Sequence, residues 1–373
     1  VIFSALLLSL TPAVFFQEPE ATELEAAQRK VAELEAELGS EHLDLVEPLD
    51  AVMLIHYGQA QYKKAAVVCR RTLTIREKFL GLEHPDVGLA LNDLAVILQD
   101  MGSYSEARPL YERSLTIYEK AFGLEHWKVA LALNNLAVLL GDIGSYAEAR
   151  PLLERSLAIR EKVLGPEHPD VALSLNNLAV LLGDIGSYAE VRPLFERSLA
   201  IWEKALGPEH PDVAFALNNL AVLLGDIGSY AEARPLLERA LAIYEKALGP
   251  EHPYVATTLN NLAGLLGDIG SHAEARPLFE RSLAIYEKAL GSEHPDVTSS
   301  LNNLAEFLGD IGSYAEARPL YERGLNATLQ HLSRNLGDMT ETDRFRYLNI
   351  QEGPEPLLLN LIAIQGNGGA KTE

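Results

Sequence analysis

The sequence predicts an all-α solenoid, one helical hairpin copied in series, and three observations carry that prediction. His42, His84, His126, His168, His210, His252 and His294 stand 42 residues apart. Between them apolar residues return at three- and four-residue steps, the period of an amphipathic helix. Each helical stretch is closed by Gly or by a Gly-Pro pair, which punctuate rather than continue a helix. Length alone, 373 residues, would predict two or three globular domains. A repeat overrides that expectation, because each copy touches only its neighbours and the array grows linearly.

The copy from Pro169 to His210 serves as the type. Asp170 is the expected N-cap, and Leu175, Leu178, Ala179, Leu182 and Ile185 predict a first helix of about four turns. Gly186 stops it. Ser187 with Glu190 reads as a capping box opening a second helix, and the pair recurs as Ser103/Glu106, Ser145/Glu148, Ser229/Glu232, Ser271/Glu274 and Ser313/Glu316. Val191, Leu194, Phe195, Leu199, Ile201 and Leu206 form the apolar side of that helix, which ends at Gly207. Pro193 lies one turn inside it and removes the donor that would bond back to Ala189, so a slight bend is expected there and at Pro109, Pro151, Pro235, Pro277 and Pro319.

A degenerate copy comes first, because Leu49, Met53, Tyr62 and Ala65 precede Leu91, Ala95, Tyr104 and Ala107 by 42 residues. The expected organisation is a leader at 1–19, a capping helix at 20–42, seven hairpins at 43–336, and capping helices with a tail at 337–373. Leu24, Ala27, Val31, Leu34 and Leu38 carry the stripe of the first cap, and Pro354 and Pro356 split the last segment. Val1 to Phe16 is an apolar run of signal-peptide length followed by polar "QEPEATE". Export to a periplasmic or extracellular location through a cleaved signal is expected. A retained anchor, which alone would bring the chain to a membrane, and a mistaken gene start with a cytoplasmic protein are the alternatives.

On these residues the chain resembles the tetratricopeptide repeat family, in the 42-residue variety of kinesin light chains and many bacterial proteins. Leu175, Leu178, Ala179 and Leu182 match the family's first helix, Gly186 and Tyr188 its turn, and Val191, Phe195 and Ser198 its second helix. The resemblance implies a right-handed superhelix of antiparallel helix pairs whose first helices line a concave groove. The tail is similar to the segment that, in bacterial proteins of this type, leads to a caspase-like CHAT domain.

A formal charge of −22 disfavours nucleic acid, whose binding draws on Lys and Arg at phosphates. Cys69 is the only cysteine, so a disulfide within the chain or a cysteine-based zinc site is excluded, and its helical setting predicts an inert buried thiol. The seven His residues come one per copy, about 10 Å apart if helices pack normally, too far for shared metal ligation. No cofactor is expected, since "GNGGAKT" at 366–372 lacks the Gly before Lys371 that a phosphate loop needs.

The Asn pairs Asn134/Asn135, Asn176/Asn177, Asn218/Asn219, Asn260/Asn261 and Asn302/Asn303, with Asn92/Asp93 as a variant, lie beside the core stripe of the first helix. In the family that face holds the backbone of extended peptides, and a carboxamide offers both donor and acceptor to a peptide group. Asp142, Asp184, Asp226, Asp268 and Asp310 follow on the same helices, so a groove lined by Asn and flanked by Asp would favour basic partners. Alternatively, neighbouring Asn residues bond one another between repeats and the Asp residues only solvate helix ends. Gly141, Gly183 and Gly225, with Val138, Val180 and Val222, are expected to keep the face small and open. Pairs such as Glu196/Arg197 and Glu203/Lys204 predict ion pairs along or between second helices.

The expected function is that of a non-enzymatic scaffold binding extended peptide segments of partner proteins. The alternatives are the regulatory part of a larger CHAT-type protease-like or signalling protein, and a structural or self-assembling array. The oligomeric state stays open.

Overall fold

The computed structural model describes residues 21–59, 61–292 and 294–335; the apolar leader, the segment around Pro354 and Pro356 and the "GNGGAKT" stretch lie outside them. The described residues form fifteen α-helices and one 3-10 turn, with no strand among them. A leading helix α1 (Ala21–Leu38) precedes α2 (Val46–Gly58) and α3 (Tyr62–Leu80). Then come α4 (Pro85–Asp100) with α5 (Tyr104–Phe122), α6 (Trp127–Asp142) with α7 (Tyr146–Leu164), and α8 (Pro169–Asp184). They are followed by α9 (Tyr188–Leu206), α10 (Pro211–Asp226) with α11 (Tyr230–Leu248), α12 (Pro253–Asp268) with α13 (His272–Leu290), and α14 (Pro295–Asp310) with α15 (Tyr314–Asn335). The chain divides into two compact units, one ending at Gly186 and the other beginning at Ser187. Within each, every helix packs on the next, and first helices also touch: α4 on α6, α6 on α8, α10 on α12, and α12 on α14.

The first helices start at histidine. His168 has extended backbone (φ −78°, ψ 142°) and its Nδ1 accepts from the Asp170 amide at 3.1 Å. His84, His126, His210, His252 and His294 make the same bond at 3.2 Å. The N-cap is therefore His168 and not Asp170, which is the second helical residue, because Pro169 fills the first position, where its fixed φ fits and no amide is missed. A ring nitrogen that accepts must be unprotonated, and burial pushes His252 down to about 4.

The turn between helices corrects a second expectation. The side chains of Ser103, Ser145, Ser187, Ser229 and Ser271 make no capping bond, because their ψ lies near 50° instead of the extended value a capping side chain requires. These serines instead finish the helix before. Gly144 stands at φ +73°, its amide meets the Gly141 carbonyl at 2.8 Å, and the Ser145 amide reaches back to the Leu140 carbonyl at 2.7 Å. This is a Schellman closure, with glycine in the left-handed place. The prolines inside the second helices are exposed at 109, 151 and 193, and the helices run on through them.

No hairpin closes a core alone. Tyr118 of α5, Val129, Ala130, Ala132 and Leu133 of α6 and Ile159 of α7 form one cluster, with Leu115 and Leu152 against it. Inside a hairpin, Ser156 is wholly buried and its hydroxyl donates to the Ala130 carbonyl at 2.7 Å, which satisfies it without water. At the start of the array Val31 of α1, with Leu24, Ala27 and Leu34, covers Leu45, Leu49, Val52 and Ile75.

One core position differs in kind between copies. Tyr118, Trp202, Tyr244 and Tyr286 are buried aromatics, whereas the equivalent Arg160 is a buried cation bonded at 2.9 Å to the Asp170 carbonyl and to Ser174 Oγ. Such a charge has to regain its lost hydration from neutral acceptors, and a packed aromatic does not. Arg160→Tyr is therefore expected to match or exceed the parent in urea unfolding. Arg160→Ala should lose about 2–3 kcal/mol through a cavity and two unmet acceptors; a tyrosine variant as weak as the alanine one would contradict this account.

Candidate functional site: the face of the first helices

The side of each first helix away from the core is set by helical spacing. In α6 Leu131, Asn135, Val138 and Asp142 follow one another at intervals of four, three and four residues, one stripe opposite the core residues Val129, Leu133, Ala137 and Leu140. Leu89, Asp93, Val96 and Asp100 make the same stripe on α4, and Leu173, Asn177, Val180 and Asp184 make it on α8. In the second unit the stripes are Phe215, Asn219, Val222 and Asp226 on α10, then Thr257, Asn261, Gly264 and Asp268 on α12, then Ser299, Asn303, Glu306 and Asp310 on α14.

The carboxamides are engaged with each other. Asn135 Nδ2 donates to Asn92 Oδ1 at 2.9 Å, Asn177 to Asn134 at 2.9 Å and Asn261 to Asn218 at 3.1 Å. Within a pair, Asn134 Nδ2 lies 3.3 Å from Asn135 Oδ1. The second Asn of a copy thus lies on the stripe and the first at the seam with the next helix. Asn92, Asn134, Asn135, Asn176, Asn177, Asn218 and Asn302 are buried, while Asn219, Asn260, Asn261 and Asn303 are half-buried. Asn260 Oδ1 and Asn302 Oδ1, at the far end of the ladder, accept no bond among the described residues.

Gly141, Gly225 and Gly267, near the helix ends, lie beside the next first helix. A Cβ on Gly141 would lie 3.5 Å from Leu181, one on Gly225 3.4 Å from Leu265, and one on Gly267 3.4 Å from Phe307, each on the next first helix. In α4 the same place holds Gln99, whose Nε2 donates to Asp142 Oδ2 at 2.6 Å.

The aspartates end their helices, where the backbone dipole is already negative. Loss of hydration among the packed helix ends pushes Asp142 up to about 7, and Asp100 and Asp184 on either side push it the same way. Desolvation likewise pushes Asp100 and Asp184 up to about 6 and raises Asp226 and Asp268. Among the described residues the Tyr57 hydroxyl donates to Asp100 at 2.6 Å and helps to hold its charge. No ion pair reaches Asp100, Asp142, Asp184, Asp226 or Asp268 among the described residues.

The second helices are the reverse. Arg70 with Glu106, Arg108 with Glu148, Arg192 with Glu232, Arg234 with Glu274 and Arg276 with Glu316 bridge successive copies at 2.6–3.0 Å. Arg113 with Glu77, Arg155 with Glu119, Arg239 with Glu203 and Arg281 with Glu245 form a second row at 2.7 Å. Lys78 with Glu41, Lys120 with Glu83, Lys162 with Glu125 and Lys288 with Glu251 form a third at 2.5–2.7 Å. The glutamates read as capping-box partners are thus the acceptors of the first row.

Charge is partitioned as a result. The first helices α4, α6, α8, α10, α12 and α14 carry twelve carboxylates and one cation, Lys128. Its Nζ lies over the rings of Tyr118, Phe122 and Trp127 at 5.2–5.7 Å. Cys69 is buried, its Sγ lies 3.7 Å from the Ala90 carbonyl, and burial pushes the thiol far above its usual range, so it is not a nucleophile. No group of three His, Cys, Asp or Glu residues able to hold a metal is found among the described residues. No described helix is long and apolar enough to cross a membrane.

Helical hairpins stacked in series, each presenting the same stripe, define a helical repeat protein. The chain belongs to the tetratricopeptide repeat family, whose model matches residues 52–120, 128–203, 184–246, 223–288 and 254–330. Among solved structures it is similar to a Podosopora anserina protein described as a kinesin-light-chain candidate with nearly identical TPR-like repeats (33% identity, 55% of this chain and 97% of that one, TM-score 0.47). BtubC (BKLC) from P. vanneervenii matches at 25% identity over 61% of this chain and 92% of its own, with TM-score 0.52. The apo form of the quorum sensor NprR from B. thuringiensis shares the fold at 14% identity, covering 82% and 83% of the two chains with TM-score 0.62. The comparison with curated proteins finds no match.

Leu89, Leu131 and Leu173 were not among the residues expected on this face. The signal was available, since each lies seven residues before Val96, Val138 or Val180 and so on the same side of its helix.

Two outcomes follow for this face. Asn177→Ala leaves the wholly buried Asn134 Oδ1 without its donor, and urea unfolding should register a loss of about 1–3 kcal/mol. For Asp142 the folded-state value lies above the unfolded one, so the folded protein holds the proton more tightly and stability falls as pH rises from about 4 to 7. Asp142→Asn keeps the acceptor for Gln99 and removes the charge. It should melt together with the parent at pH 4 and about 2–4 °C above it at pH 8; a gap of equal size at both pH values would show that the charge is not the cause.

Proposed function

We propose that this chain is a non-enzymatic interaction scaffold that takes extended segments of basic partner proteins on the faces of its first helices. The observation that carries this reading is the partition of charge. Cations are drawn into ladders between second helices, and among the described residues Asp100, Asp142, Asp184 and Asp268 on the first-helix face meet no ion-pair partner. Family membership supports a binding role for a repeated surface of this kind. Because the Asn carboxamides bond to one another, the acidic row supplies the attraction, and the Asn ladder chiefly fixes the spacing of the helices that present it.

Attraction of this origin is screened by salt, with a Debye length near 10 Å at 0.1 M. A lysine-rich extended peptide should therefore bind the full chain at low salt and lose affinity at least about tenfold at high salt, as read by fluorescence anisotropy. The double variant Asp142→Asn, Asp184→Asn should weaken low-salt binding and flatten its salt dependence. Binding insensitive to salt, or equal for parent and variant, would remove the basis of this reading.

A further inference from the structure

On the basic-partner reading above, we infer that the unit ending at Gly186 selects a narrower class of segment, one with apolar residues along one edge and Lys or Arg along the other. The stripes on α4, α6 and α8 are not uniformly polar. Leu89 is 38% exposed, Leu131 and Leu173 are half-buried, and Val96 and Val138 are half-buried with Val180 at 8%. Solvent-facing stripes of surface helices are ordinarily polar, and here two of every four positions are aliphatic.

Leucine and valine are seven residues apart and stand about 10 Å apart along the helix, with aspartate about 6 Å further on. Side by side on three packed helices, these positions form an apolar band bordered by the row Asp100, Asp142 and Asp184. Between leucine and valine run the carboxamides of Asn135 and Asn177, already bonded to the preceding helix. An extended segment crossing the helices points alternate side chains to opposite sides. Apolar ones would settle on the band, and Lys or Arg would reach the aspartates.

The unit beginning at Ser187 differs at the same positions. Only α10 keeps an apolar pair, Phe215 and Val222; α12 has Thr257 and Gly264, and α14 has Ser299 and Glu306. Thr257 Oγ1 is moreover taken up by the Tyr286 hydroxyl at 2.6 Å. That face offers carboxylates without the band, so it attracts basic segments and does not select apolar ones.

The test compares three nine-residue peptides on the full chain, with alternating Leu-Lys, Ser-Lys and Leu-Glu sequences. The Leu-Lys peptide should bind about tenfold more tightly than Ser-Lys, and Leu-Glu should not bind. Leu131→Ser with Leu173→Ser should bring Leu-Lys down to the affinity of Ser-Lys and leave Ser-Lys unchanged. Val138→Thr with Val180→Thr, nearly the same shape, gives the same readout if the serine variant melts early. Equal affinity for the two lysine peptides in the parent would overturn the selectivity and leave the basic-partner reading intact. Binding of neither would overturn both. Self-association of the parent in sedimentation, lost in the serine variant, would assign the band to a second copy of this chain and overturn the proposal.

Discussion

The contact between one hairpin and the next is the constraint on which this structure depends. A pair of helices of 16 and 19 residues buries too little on its own, and the cluster around Tyr118, Leu133 and Ile159 draws on three successive helices. Every other feature keeps that contact in register. The Schellman closure at Gly144 and Ser145 turns the chain within three residues, the histidine cap starts the next first helix, and the bond from Asn177 to Asn134 ties α8 to α6. Stability in such an array is close to a sum of nearest-neighbour terms, so an irregular copy is a local matter. Arg160 illustrates this, since a cation replaces an aromatic and α7 and α8 still pack, with the guanidinium bonded to the start of α8.

Two kinds of polar ladder hold the same register from opposite sides. On the first helices, buried Asn side chains bond across a seam where water cannot compete. On the second helices, Arg, Lys and Glu bond at the surface, where each pair contributes little by itself. Depth sets the difference in value. Losing a donor to Asn134 strands a buried oxygen, whereas losing one surface arginine leaves a solvated glutamate. The surface ladders matter more for where they put positive charge than for the energy each pair contributes.

Much of this was legible in the sequence, and the gaps have physical causes. The period, the helix boundaries and the apolar stripes are properties of spacing, and spacing survives in a one-dimensional reading. The caps do not, because Ser145 can serve either the helix before it or the one after it, and only the backbone angle at that residue decides. Asp170 reads as a cap for a similar reason, although Pro169 at the first helical position places the cap two residues earlier, at His168. For the Asn pairs two readings were open, and residue type could not choose between them. A carboxamide suits a peptide backbone and another carboxamide equally, and the outcome depends on the distance between neighbouring first helices.

Within the acidic row, Asp142 works against the fold. Asp142 stands at a helix C-terminus, between two other carboxylates, with Gln99 as its bonding partner among the described residues, and its raised proton affinity records the cost. Asp142 in these surroundings lowers stability at neutral pH, in contrast to second-helix glutamates such as Glu148 and Glu232, which meet a cation. A bound Lys or Arg would restore the missing counter-charge, so part of the stability lost in folding would return as affinity. That linkage ties the two properties together. On the proposed reading, the charge on Asp142 that costs the isolated array stability at high pH also draws a cation to its face there, and its protonation would strengthen the stack while weakening that attraction.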